Sequence, residues 1–204
     1  MFRLAEIYES VFANEEEESV LPEDRKYKAS FKKRLVFSVI FTTLAVAFSF
    51  FSIIDANVEN TLMPVHIPVL LGSFVCGGPL GFFIGLAAPL LKFLLFSSPA
   101  PLSDVVCCSF ELAVCGCFGG YLFRSLPAKL PFYALNTAIS LLAAKTTYFV
   151  LKYLITIFFA GTDLAPEVFI SNHLIPALVG IAFQSVVIPI VVVVFKKAKI
   201  AFNN

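Results

Sequence analysis

The chain has 204 residues, of which 59% are hydrophobic and 14% charged, with a mean hydropathy of +0.90 and a formal net charge of +1. So apolar a composition excludes a soluble globular domain, in which about a quarter of the residues are charged. The small net charge says little about partners, because the charges are segregated by position; no nucleic-acid partner is expected.

Residues 1–32 read as a charged cytoplasmic extension. Phe2, Ala5, Tyr8 and Phe12 fall at helical spacing, so MFRLAEIYESVF fits a short amphipathic helix on a membrane surface. The acidic run Glu15–Glu18 is expected to be solvated. The basic run RKYKASFKKR abuts the first apolar segment and reads as a cytoplasmic anchor. That segment, Leu35 to Ile54, is 20 residues without a charge. It matches the ~20 residues a helix needs to span a hydrocarbon core, and it is too long for the core of a cleavable signal peptide.

Apolar length and breakers predict an all-α integral membrane domain over residues 33–198, followed by a short cytoplasmic tail at 199–204. Six transmembrane helices are expected at Lys33–Ile54, Val65–Cys76, Leu80–Phe96, Leu102–Phe123, Lys129–Phe159 and Pro166–Phe195. Gly77-Gly78-Pro79 cannot continue a helix comfortably, so the second and third are a hairpin, and the second is short for a crossing. With six spans, Arg25–Arg34, Arg124, Lys129, Lys196, Lys197 and Lys199 share one side. Asp55, Glu59, Asp104, Asp163 and Glu167 share the other. The positive-inside rule then makes both termini cytoplasmic. A multi-pass protein of a prokaryotic cell membrane is the expected setting, with the lipid bilayer as its solvent.

Lys92, Glu111, Lys145 and Lys152 fall inside predicted spans. A charge there costs at least ~2.5–3.5 kcal/mol on insertion scales, so it faces a cavity or a partner. Glu111 lies seven residues past Asp104, hence ~10 Å deeper. Helical phase groups Lys145, Tyr148, Lys152 and Thr156 on the fifth helix. It groups Asp104, Cys108, Glu111 and Cys115 on the fourth, and His173, Gly180 and Gln184 on the sixth. Gly81, Gly85, Ala88 and Lys92 form a stripe on the third. These stripes predict a shared pocket open to the exterior, with His66 on its rim. The bland alternatives are a Glu111 bridge to Lys92 or Lys145, a snorkelling Lys152, helix-capping histidines, and an interhelical hydrogen bond from Gln184. The excess of lysine favours a substrate bearing a carboxylate or phosphate.

Gly77, Gly81 and Gly85 repeat every four residues, as do Gly116 and Gly120; tight helix packing is the better explanation. The five cysteines, Cys76, Cys107, Cys108, Cys115 and Cys117, read as small packing residues, and no Cys/His spacing suggests a metal. A phosphate loop, HExxH and GxSxG are all missing, so neither ATP hydrolysis nor catalysis by this chain is expected, and no cofactor.

PVHIPVLLGSFVCGGPLGFFIGLAAPLLKFLLFSSPAPL and FELAVCGCFGGYLF together resemble the substrate-binding S components of energy-coupling factor transporters; GIAFQSVVIPIVVVV is similar to a sixth-helix pattern of that family. The resemblance spans roughly Leu62–Phe123. It implies a six-helix subunit that captures a vitamin or related micronutrient, pantothenate being one candidate. The subunit would work with a transmembrane T component and two cytoplasmic ATPases. Carried over, the family's elements place His66, Lys92, Glu111 and Gln184 in or near the pocket. The first helix departs from the family's Ala-x-x-x-Ala docking surface, offering Thr43/Ala47 and Ala45/Ser49 instead. Cys115 stands where an aromatic is usual. The competing readings are a self-sufficient secondary transporter or small channel, and an intramembrane enzyme built on His66, Glu111 and His173.

Overall fold

The computed structural model describes residues 31–50, 61–96, 101–127, 129–160 and 175–197. The amphipathic and acidic stretches of the N-terminus, and His173, lie outside the described residues. Those described are helical, with no strand among them. Six α-helices run in chain order: α1 (Phe31–Phe48), α2 (His66–Cys76), α3 (Gly78–Phe96), α4 (Leu102–Ser125), α5 (Leu130–Ile155) and α6 (Ile175–Lys197). A π-helical turn, Thr156–Ala160, continues α5. Four of the six, α3 to α6, are long and apolar enough to cross a membrane.

The boundaries differ from the sequence expectation in instructive ways. α1 ends at Phe48, short of Ile54, so the helix of 18 residues carries three cations in its first turn. The GGP break is narrower than expected. Gly77 alone interrupts the chain, at φ 92°, a conformation that disfavours any side chain. Gly78 and Pro79 already belong to α3, because proline in a first turn sacrifices no helical hydrogen bond. Pro89 and Pro189 sit inside α3 and α6, where a tightly packed membrane bundle tolerates them.

α2 is the centre of the molecule. Its 11 residues rise only ~16 Å, about half of a hydrocarbon core. Every one of them except Ile67 is buried. A helix apolar on all sides is stable only when enclosed, and α1, α3, α4 and α6 all pack on it. Val69, Leu70 and Val75 on α2 share one buried core with Ile84 and Ala88 on α3, Leu141 and Ala144 on α5, and Ile188 and Val192 on α6. Phe74 stacks on Phe123 with ring centroids 4.6 Å apart, and Phe123 on Tyr133 at 5.3 Å. Side chains facing away from this core, such as Val39, Leu94, Phe118 and Val186, are large, apolar and exposed, as lipid contact requires.

The most extensive interface joins α3 to α4. There Gly81 and Gly116 meet: a Cβ on either would come within 2.5 Å of the other's carbonyl oxygen. The glycine spacing read from sequence therefore serves packing, which in lipid replaces the hydrophobic effect as the force between helices.

Candidate functional site

The short α2 divides the bundle, and its two ends differ in chemistry. At its carboxyl end, the Arg34 guanidinium of α1 donates to the Cys76 carbonyl through Nε (2.8 Å) and through Nη2. The Cys76 thiol donates back to Arg34 O at 3.3 Å. Arg124 of α4 reaches the same turn at Gly77. Two cations at a helix carboxyl terminus complement its dipole and meet carbonyls that no further turn would satisfy.

The amino end begins far from either end of the long helices. The chain approaches it through Met63, Pro64 and Val65, which are not α-helical although Met63 and Val65 are buried. Met63 holds φ 48°, a left-handed conformation that costs a residue with a side chain roughly 1–2 kcal/mol. Gly180 of α6 lets this backbone approach; a Cβ there would lie 2.1 Å from Thr61 O. One turn along α6, Gln184 is fully buried, and its Nε2 donates to both Leu62 O (2.8 Å) and Met63 O (2.9 Å). Because both partners are carbonyls, the amide's orientation is fixed, with Oε1 turned away from them. Irregular backbone at membrane depth survives only when protein satisfies it, and Gln184 does so here.

His66 opens α2 at this point. Its backbone N–H returns to Met63 O at 3.0 Å, the same carbonyl that Gln184 holds. Sequence placed its ring on an open rim. The structure instead buries it, 6% exposed, with Nε2 3.2 Å from Glu111 Oε1. Lys145 Nζ lies 2.6 Å from that same oxygen and 5.8 Å from the centre of the Tyr148 ring, in cation–π geometry. One carboxylate from α4 thus gathers a histidine from α2 and a lysine from α5. Since Glu111 already receives Lys145, it is an acceptor, and His66 Nε2 carries the hydrogen between them.

Further along the α4–α5 seam, Lys152 pairs with Asp104. Asp104 and Glu111 are seven residues apart on one helix, and Lys145 and Lys152 are seven apart on its antiparallel neighbour. The two steps match, so two acids meet two bases in register. Sequence reading counted three lysines against one acid; with Asp104 engaged, Lys145 and Lys152 are both locally balanced. The third, Lys92, is half-buried on α3. Towards the other end of the same seam, Asn136 donates to Gly119 O at 3.1 Å and accepts from Ser140. These buried amides and hydroxyls escaped the sequence reading, because a lone Asn or Ser inside an apolar helix carries no spacing signal.

Of the residues expected at the site, then, His66, Glu111, Lys145 and Tyr148 form one cluster. Gln184 joins it through Met63 O, and Lys152 belongs to a second pair with Asp104. His173 lies outside the described residues. Two buried atoms at the cluster have no hydrogen-bond partner among the described residues: His66 Nδ1 and Gln184 Oε1. Among those residues, no group of three His, Cys, Asp or Glu side chains stands close enough to hold a metal ion. Compared with protein-family models, with curated proteins and with solved structures, the chain matches none.

Proposed function

We propose that this chain is a substrate-capturing membrane subunit of the energy-coupling-factor type, taking a vitamin or related micronutrient from outside the cell. The six helices would all lie in the bilayer of a prokaryotic cell membrane, with both termini cytoplasmic. A transmembrane T component and two ATPases would supply the engine that the chain lacks, and no catalysis is assigned to it. One observation carries the reading: His66, Glu111, Lys145 and Gln184 converge from four helices on the head of a half-length helix. Polar side chains within a membrane are expensive and are retained where they serve a ligand or a translocated species. With Lys145 and Lys152 facing carboxylates, the case for an anion such as pantothenate weakens, while that for a small polar substrate does not depend on it.

Reconstitution tests this. Vesicles holding the chain together with its T component and ATPases should accumulate the micronutrient only when ATP is inside. Uptake by vesicles holding the chain alone would overturn the reading. That result belongs to a second one, a self-sufficient transporter, which the matched Asp104–Lys152 and Glu111–Lys145 pairs favour. Such a seam could exchange partners as protons or substrate pass.

A further inference from the structure

Two buried acceptor atoms gather around Met63. Gln184 Oε1 belongs to a side chain with no exposed surface, and His66 Nδ1 to one that is 92% buried, since 8% of its side chain is exposed. Neither has a protein partner among the described residues. Oε1 is an acceptor by its nature, and so is Nδ1 in a neutral ring whose hydrogen sits on Nε2 against Glu111. The two residues are tied to a common atom, Met63 O, through the Gln184 side chain (Nε2, 2.9 Å) and the His66 backbone N–H (3.0 Å). An unmet buried acceptor costs roughly 1–3 kcal/mol, and the left-handed Met63 adds strain at the same spot. Unmet acceptors and backbone strain in one place point to a site completed by a group beyond the described residues.

We propose that the ligand completes it by donating: it presents an uncharged donor, a hydroxyl, amide or ring N–H group, to His66 Nδ1 and Gln184 Oε1. This rests on reading the chain as a capture subunit and names the class of group it would recognise. An anionic end is disfavoured on three grounds. The exposed valences are lone pairs, which repel anions. Lys145 is engaged by Glu111. The start of α2 also offers few donors, because the His66 N–H goes to Met63 O, the Ile67 N–H to Pro64 O at 3.2 Å, and Pro68 has none. A cationic end is disfavoured too, since Glu111, the carboxylate that the described residues place here, already serves a lysine and a histidine.

The test is native mass spectrometry of the full chain, purified gently in lipid nanodiscs from cells grown in rich medium, with the co-purifying small molecule released and identified. The expected compound has neutral donor groups. Its enrichment should fall about tenfold in His66→Leu, the effect of one good hydrogen bond. It should partly return in His66→Gln, which restores an acceptor, and stay unchanged in Ser125→Ala, a change on an exposed residue at the other end of the bundle. A co-purifying anion without neutral donors would overturn this inference and leave the capture reading standing. No enriched compound at all would overturn both. The identity of the wild-type compound decides the matter even where a variant fails to fold.

Discussion

The two ends of α2 are built from the same short apolar helix, yet one is closed and the other is not. At Cys76 the carbonyl, the thiol and the Gly77 turn are met by Arg34 and Arg124, so the helix stops with its dipole complemented. At His66 the backbone is bonded through Met63 O and Gln184, but two side-chain acceptors have no partner among the described residues. The contrast lies in side chains: those at the Cys76 end meet the helix terminus, whereas those at the His66 end keep acceptors that no described residue meets.

Breaking the open end at its charge should have the largest effect. Glu111→Leu leaves Lys145 without its carboxylate and should cost roughly 3–5 kcal/mol, read as a lowered thermal midpoint in nanodiscs. Adding Lys145→Met should recover most of that loss, because an apolar pair of similar volume replaces a buried ion pair at little cost. If the double variant is no more stable than the single, the pairing is not what Glu111 provides.

Gln184→Leu comes next. It strips the Leu62 and Met63 carbonyls of their donor and should destabilise by roughly 1–3 kcal/mol for each carbonyl left unmet. Protease sensitivity should rise around residues 61–65, whereas cleavage near Gly77 should not change. At the closed end, Arg34→Met removes a charged donor to Cys76 O and should cost about 1.5–3 kcal/mol. Ligand enrichment, corrected for the folded fraction, should be untouched, which sharpens the contrast between a structural end and a binding end. Lys152→Met should do least. Its partner Asp104 is a third exposed, so about 0–1 kcal/mol is expected, and that only at low salt.

Much of this architecture was legible in the sequence. Length of apolar runs and the Pro and Gly breakers located six helices, and the glycine spacing announced close helix packing, which the structure places between α3 and α4. Burial of Glu111 followed from its depth along α4, and the phase of Lys145 and Tyr148 on α5 placed them on one face. What was not legible has definite causes. The Asp104–Lys152 pair went unseen because Asp104 was read as a charge of the outer side and Lys152 as snorkelling; the equal seven-residue steps on α4 and α5 were the available signal. His66 was assigned to a rim because periodicity says where a residue lies along a helix but not that the helix starts deep inside the bundle. The left-handed Met63 and its grip by Gln184 join residues over a hundred positions apart, and no local pattern encodes such a contact.

The central claim is that His66 offers a bare acceptor at Nδ1, and the chain contains only two histidines with which to test it. Nitrogen NMR of protein labelled at histidine in nanodiscs, with His173→Ala to assign the pair, reads the tautomer directly. The expected result is a His66 ring that is protonated at Nε2 and bare at Nδ1, with the Nδ1 resonance moving when the co-purified compound is added back to stripped protein. A ring protonated at Nδ1, or a resonance indifferent to that compound, would contradict it.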